Sequence, residues 1–428
     1  MARPPPPVRH STPARPPVST ELSIDFVGGQ GDGVAAGPVF VPLTLPGERV
    51  LAAVSGDRAE VETIWQASPD RVEPPCPHFG ACGGCALQHW APGPYLAWKV
   101  DQVRQALARE RIETEFVPAF AAPPASRRRV ALHARSERGG ASIGYKARRS
   151  WKLVEIEVCP ITDPRLVAAF PAMRRLAGAL FEHPKSAPTL HATWTSTGID
   201  IEITGVERKS GGGLSADARR RLADAAAAAD FARVTLGGEM VFQARAPVVR
   251  FGQAAVILPV GGFLQAVPQA EAAMAVFAVE AVAGAGLVAD LFCGSGAFTF
   301  RLAEGSRVLA LDSSETAIVA LKAALGGAPM LKPIDAQARD LFRRPLLAQE
   351  MKKVDAVVFD PPRAGAPEQA GEIARSKVGR VVGVSCNPAT FARDAATLIA
   401  AGFSLDRVLP VDQFLWSPHI ELVGVFTR

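Results

Sequence analysis

The strongest constraint on the fold lies in residues 251–428, where short apolar runs alternate with helix-forming stretches. LVADLF, RVLALD, VDAVVFD and RVVGVSC are each rich in Val, Leu and Ala, and a helix-forming segment follows each one. Strands covered on both faces read as near-continuous apolar runs, and strand–helix alternation builds a mostly parallel sheet with helices on both sides. The pattern predicts a doubly wound α/β domain. In such sheets ligands bind at the carboxyl ends of the strands. The residues that follow each apolar run are therefore the first candidates for chemistry.

Composition excludes other classes. The 428 residues are 48% apolar and 21% charged, which suits several globular domains rather than a disordered chain. Six cysteines are too few for a disulfide scaffold of this length. A net charge of +5 permits a nucleic-acid partner without requiring one. The N-terminus has no apolar run of signal-peptide length, and the weakly charged stretch from Ala272 to Ala289 contains Glu280. A cytoplasmic protein that does not cross a membrane, with reduced cysteines, is expected.

Residues 1–20 read as a disordered, basic, Pro-rich tail. Residues 21–73 hold short alternating strands between Gly-rich turns, the pattern of a small β-barrel. A Cys-rich loop at 74–95 and a mixed α+β middle region at 96–250 precede the α/β domain at 251–428.

In LVADLFCGSGAFTF, Gly294 and Gly296 fall in the loop after the first strand, where a backbone without side chains can approach a ligand. The next strand ends in Asp312, placed to accept hydrogen bonds from ribose hydroxyls. Thr299 occupies the last position of a dinucleotide fingerprint, so that fingerprint fails; the shorter pattern suits S-adenosylmethionine. A later strand ends in Asp360-Pro361-Pro362-Arg363. Amino methyltransferases of nucleic acids have an aromatic residue after the prolines to stack on the base. Arg363 in its place argues against methylation of an exocyclic amine.

Cys386 sits in RVVGVSCNPATFARD, after a buried strand. Asn387 can cap the following helix and Pro388 suits its first position, so the thiol is expected at a helix N-terminus that favours the thiolate. Methyl transfer to nitrogen or oxygen needs no such nucleophile. Carbon 5 of a pyrimidine does: a thiolate adding to carbon 6 makes carbon 5 nucleophilic, and a base must then remove the carbon-5 proton. Glu421, among apolar residues near the C-terminus with His419 beside it, is a candidate base.

DLFCGSGAFTF, DPPRAG, VSCNPATFARD and the terminal HIE resemble the RNA uracil-C5 methyltransferase family over nearly the whole chain. The barrel segment VFVPLTLPGERV resembles a TRAM domain, and CPHFGACGGCALQH resembles the branch acting on 23S rRNA. The resemblance implies a Rossmann-like methyltransferase domain using S-adenosylmethionine, with an N-terminal TRAM-like barrel and an α+β middle domain. It implies Cys386 as nucleophile, Glu421 as base, and cofactor contacts from Gln265, Phe292, Asp312 and Asp360 beside Gly294 and Gly296. Two positions depart from the family: Ala297 stands where Asn is usual, and Asp312 where Glu is usual.

Cys76, Cys82, Cys85 and Cys159 offer four thiolates, which by spacing suit zinc or an iron–sulfur cluster. The resemblance implies a [4Fe–4S] cluster, with zinc the alternative. Cys293 reads as packing. The expected partner is RNA, 23S rRNA by the resemblance, with tRNA or a non-catalytic RNA-binding assembly factor as alternatives and no obligate protein partner. Arg127–Arg129 and Lys146–Arg149 are the expected RNA-contacting basic patch.

Overall fold

The computed structural model describes residues 17–207 and 214–428. Most of the tail expected at 1–20 lies outside these residues. Its last residues do not: Val18 to Thr20 open the first strand of a barrel.

That barrel closes from Val18–Val27, Gly33–Ala35, Val39–Val41, Arg49–Ser55 and Arg58–Gln66. Alternation puts Ile24, Val41, Val50, Ala52 and Ala59 inside a small core. Glu48 is also fully buried; Arg71 donates to both its oxygens at 2.6 and 2.8 Å, and Leu45 and Ser68 add backbone donors. Burial works against the charge, but these donors hold the Glu48 carboxyl below its usual range. The barrel, Ala86–Tyr95 and Trp416–Pro418 form one compact unit; Pro75–Cys85, Leu96–Leu415 and His419–Arg428 form the other. The loop expected as one piece at 74–95 is thus divided between the two units.

The second unit contains two sheets and a short hairpin, Val248–Phe251 with Ala254–Ile257. A seven-stranded sheet runs in the order Leu153–Glu155, Gly140–Lys146, Arg129–Glu137, Thr189–Thr195, Gly198–Thr204, Arg233–Leu236, Glu239–Gln243. Helices Phe170–Ala177 and Ala216–Ala228 pack on it around Leu132, Ile143, Phe170, Leu190 and Ile201.

The nine-stranded sheet follows the order Ile334–Ala338, Arg307–Asp312, Leu287–Leu291, Ala356–Phe359, Arg380–Ser385, Glu421–Thr427, Ser404–Asp412. The first five are parallel and Glu421–Thr427 inserts antiparallel. Val357 and Val381 belong to one core, Val358 and Val382 to another, so successive residues face opposite buried layers. This is why the apolar runs are unbroken. Strand order reverses between Leu287–Leu291 and Ala356–Phe359, the crevice where such sheets bind ligands.

The middle region expected at 96–250 does not stay together. Glu115–Phe116 and Phe120–Ala121 pair with Ser404–Asp412 and extend the nine-stranded sheet. Helix Pro92–Arg109 sends Val103 and Leu107 into that sheet's core. The helix is visible in the local pattern, but the two short strands are not, and their partners lie some 300 residues on, beyond the reach of any window.

One packing contact seats the helix that follows Cys386. Gly383 and Gly424 are register partners on adjacent strands, and the Phe391 ring from helix Pro388–Ala400 lies against them. A Cβ on Gly424 would meet Phe391 Cζ at 2.4 Å, and one on Gly383 would meet the same ring at 3.3 Å. We predict that Gly424→Ala destabilises the fold by about 1–3 kcal/mol through overpacking. Urea denaturation checks this, and an unchanged midpoint contradicts it.

Candidate active site

The carboxyl ends of the parallel strands bring the sequence-predicted residues to one edge. Leu291 is in register with Leu311 and Phe359, and Phe359 with Gly383. Phe292, Asp312 and Asp360 therefore follow neighbouring strand ends. Ser385 pairs with Leu422 antiparallel, so Cys386 and Glu421 are the next opposed positions.

The glycine loop folds tightly. Gly296 has φ +101°, and a Cβ there would lie 2.7 Å from the Phe300 ring; Gly294 has φ +54°. Phe292 also has a positive φ, 62°, a strained conformation for a residue with a side chain. Asp312 accepts from the backbone N–H of Gly294 at 2.9 Å and of Ser314 at 2.7 Å. One lone pair on each oxygen is used, and further acceptor capacity is left. Cys293 is buried in the apolar core.

Asp290 lies within the apolar run itself, 1% exposed, with Thr299 donating to one oxygen and Oδ1 unpartnered. Burial, Asp360 and Asp312 push its carboxyl up to about 7. Asp360, half-buried, is pushed up to about 7 by desolvation. Asp290, Asp312 and Asp360 thus concentrate negative charge at the crevice, which suits a cationic ligand.

Beyond Asp360 runs a chain of amides. Gln265 Nε2 donates to Asp360 at 3.2 Å, and Gln413 Nε2 donates to Gln265 Oε1 at 2.7 Å and to Glu421. Gln413 Oε1 accepts from the backbone N–H of Ala266 at 3.1 Å and of Val267 at 3.4 Å. Those backbone donors fix which way the Gln413 amide points, and so fix a donor onto Glu421. Glu421 is 5% exposed; burial and Asp360 push its carboxyl up to about 8, while Gln413 pulls it down. Lys99 holds the flanks of Gln413, donating to Asp412 at 2.5 Å and to the Phe414 carbonyl at 3.0 Å.

Cys386 is partly exposed at the start of helix Pro388–Ala400, which Asn387 caps through Ala389 N–H. The expected lowering of its pKa is not found. Burial and the carboxylates of Glu421 and Asp360 push the thiol up, with Arg363 opposing. Desolvation first, and then the two acids facing the sulfur, outweigh the helix N-terminus. His419, edge-on to Phe414, is pushed down by burial, Arg363 and Lys99.

The string after Cys386 also braces a neighbouring loop. Asn387 and Thr390 side chains bond the Arg363 carbonyl, Arg393 bonds the Ala364 carbonyl, and Asp394 accepts from Ala366 N–H at 2.8 Å. The helix after Cys386 thereby ties down the loop that follows Asp360.

Part of the expected basic patch is structural. Arg128, 7% exposed, pairs with Glu271 at 2.6 Å and bonds the Gln265 carbonyl, and Arg129 bonds the Leu264 carbonyl. They anchor the Gln265 loop. In the Cys-rich segment, burial raises the Cys82 thiol, and nearby Cys159 and Cys76 raise it further; Gly84 N–H donates to Cys82 Sγ at 3.4 Å. Among the described residues, no group of three or more His, Cys, Asp or Glu is placed to hold a metal ion.

Sequence reasoning missed Gln413, Asp290 and Asp394. An acid embedded in LVADLF was a visible signal for Asp290. Nothing local distinguishes Gln413, whose partners come from loops about 150 residues away.

This fold, with an acidic crevice at the switch point, defines an S-adenosylmethionine-dependent methyltransferase. Residues 332–428 match the model of the tRNA (uracil-5-)-methyltransferase family. The chain is 64% identical over 95% of its length to an RNA methyltransferase of Caulobacter vibrioides, covering 100% of that protein. It is 32% identical over 94% of its length to the 23S rRNA (uracil(1939)-C(5))-methyltransferase RlmD of Halomonas elongata, covering 88% of it. Its fold matches the Pyrococcus abyssi tRNA (uracil-54, C5)-methyltransferase, solved with S-adenosyl-L-homocysteine, at TM-score 0.72 and 23% identity, covering 95% of this chain and 99% of that one. The chain belongs to the RNA uracil-C5 methyltransferase family.

Replacing Asp394 by Ala leaves the buried Ala366 N–H without its acceptor, which costs about 1–3 kcal/mol. Faster amide exchange across 363–367, with a lower urea midpoint, is the expected outcome; unchanged exchange there contradicts the tether.

Proposed function

We propose that this enzyme methylates carbon 5 of a uridine in 23S rRNA, with Cys386 as nucleophile and Glu421 as the base for the carbon-5 proton. The observation that carries the mechanism is the opposition of Cys386 and Glu421 across neighbouring strands, with Glu421 held by Gln413. Likeness to the 23S rRNA enzyme along nearly the whole chain supports the choice of RNA.

In this reading the Cys386 thiolate adds to carbon 6, and the carbon 5–carbon 6 π pair moves toward the uracil carbonyl. Bound S-adenosylmethionine would supply an electrophilic methyl group on its sulfonium; as carbon 5 bonds to that methyl carbon, the sulfur–methyl bond breaks and its electron pair stays on sulfur, which leaves as a neutral thioether. Glu421 then takes the carbon-5 proton; the freed pair restores the double bond and expels the thiolate. Gln265, Phe292, Gly294, Gly296, Asp312 and Asp360 hold the cofactor, the acids balancing its positive charge. The target base reaches Cys386 by flipping out of its stack. The barrel and the middle region contribute RNA affinity that falls with salt.

Cys76, Cys82, Cys85 and Cys159 would hold a [4Fe–4S] cluster. Four thiolates are the donor set of such a cluster, and the Gly84 N–H on Cys82 Sγ is the kind of hydrogen bond a cluster ligand accepts. Its role here is to tie Pro75–Cys85 to the strand region near Cys159. Protein prepared without oxygen should carry about four irons per chain and no zinc. Zinc without iron overturns this assignment.

Glu421→Gln should methylate poorly and accumulate a covalent RNA–protein adduct, because the carbon-5 proton stays in place. Labelled methyl transfer to 23S rRNA and tRNA transcripts identifies the substrate; transfer to tRNA alone contradicts the 23S reading. The pH dependence has a definite sign. A base must be ionised, and Glu421 is raised to about 8, so single-turnover rates fall about tenfold per unit below that value. The raised Cys386 thiol steepens the fall. A rate independent of pH between 6 and 8 contradicts the assignment.

A further inference from the structure

We infer that a cleft on the seven-stranded sheet, away from the residues assigned to catalysis, binds a single-stranded segment of the RNA by stacking a base on Trp151. The inference rests on the reading of RNA as substrate and adds where a second part of that RNA is held.

The cleft encloses about 540 Å³ and is lined by His133, Arg135, Lys146, Trp151, Lys152 and Phe181 among others, with no acid in its lining. Trp151 stands 86% exposed in the turn between Gly140–Lys146 and Leu153–Glu155. Its exposed ring can withdraw apolar surface from water only by gaining an occupant. Lys146 Nζ lies 3.9 Å from the centre of the ring, so ammonium and aromatic are presented together. A base stacks on an aromatic face, and its flanking phosphates need cations within a few ångströms; the cleft supplies both. A base paired in a duplex cannot reach such a face, which selects a single strand or a splayed loop.

The turn is held in place. Ala147 N–H donates to the Lys152 carbonyl at 2.8 Å, closing it. Gly83 N–H donates to the Lys146 carbonyl at 3.0 Å, and Cys82 bridges to Ala147. A Cβ on Gly83 would lie 2.8 Å from that carbonyl and 2.9 Å from Arg148 N, so the Cys-rich segment seats directly on the turn. A preorganised platform loses less entropy on binding. Lys146 keeps its place in the expected basic patch, joined by Arg135 and Lys152, whereas Arg128 is spent on structure.

The test uses the full chain and a fluorescein-labelled 12-nucleotide single-stranded RNA, read by anisotropy over a range of salt. Trp151→Ala should weaken binding about tenfold, and Trp151→Phe should stay within about twofold of the wild type. Lys146→Gln with Lys152→Gln should lower the slope of log affinity against log salt by about 1.4. The same sequence as a duplex should not distinguish Trp151→Ala from wild type. An unchanged single-strand affinity in Trp151→Ala, with an unchanged thermal midpoint, overturns the inference and leaves the cleft to a partner other than RNA. An equal loss on the duplex overturns the stacking role. Failure of the wild type to methylate any 23S transcript, while the 12-mer still binds through Trp151, contradicts the substrate reading and not this site.

Discussion

The orientation of one side-chain amide organises the catalytic end of this molecule. Gln413 accepts two backbone N–H groups from Ala266 and Val267, so its own donors point at Gln265 and Glu421. Gln265 must then present its donors to Asp360. The polarity of the whole chain, from backbone to Gln413 to Gln265 to Asp360, follows from that first pair of bonds. Lys99 fixes the neighbours on either side of Gln413, through the Asp412 carboxylate and the Phe414 carbonyl. The Lys99–Asp412 pair is fully buried, and losing either partner would strand a charge in a low dielectric. The C-terminal strand and the loop at 264–267 are therefore held in one arrangement, with a hydrogen-bond donor fixed on the carboxyl group opposite Cys386.

The same site concentrates acids that a stable core would avoid. Asp290 and Glu421 are buried and Asp360 half-buried, and all three are raised, mainly by desolvation and then by neighbouring acids: Asp360 and Asp312 for Asp290, Asp360 for Glu421. Burial without cationic partners destabilises the ionised forms. Such crowding belongs where a positive ligand and a proton transfer meet. The strained backbone at Phe292 sits at the same crevice. The cost is offset by the apolar layers on both faces of the nine-stranded sheet and by the glycine floor that seats Phe391.

Much of this was legible in the sequence because it is local. Four apolar runs with following helices specify a parallel sheet, and Asn387-Pro388 specifies a helix start just past Cys386. What was not legible is set by tertiary partners. Arg128 reads as surface charge beside Arg127 and Arg129, yet Glu271 and the Gln265 carbonyl draw it into the interior. Glu115–Phe116 pairs with a strand, Ser404–Asp412, that begins far along the chain. The thiol of Cys386 was expected to be lowered by its helix, and its burial together with the acids opposite it decides otherwise. Each case turns on a residue distant in sequence and close in space.

The central claim is that Cys386 bonds to the uracil ring during methyl transfer. The most direct measurement supplies methyl-labelled S-adenosylmethionine and an RNA that the enzyme methylates, transcribed with 5-fluorouridine. Fluorine cannot leave carbon 5 as a proton does, so the account predicts a stable, labelled RNA–protein adduct that mass spectrometry maps to Cys386. No adduct from the wild type, or an undiminished one from Cys386→Ser, would contradict it.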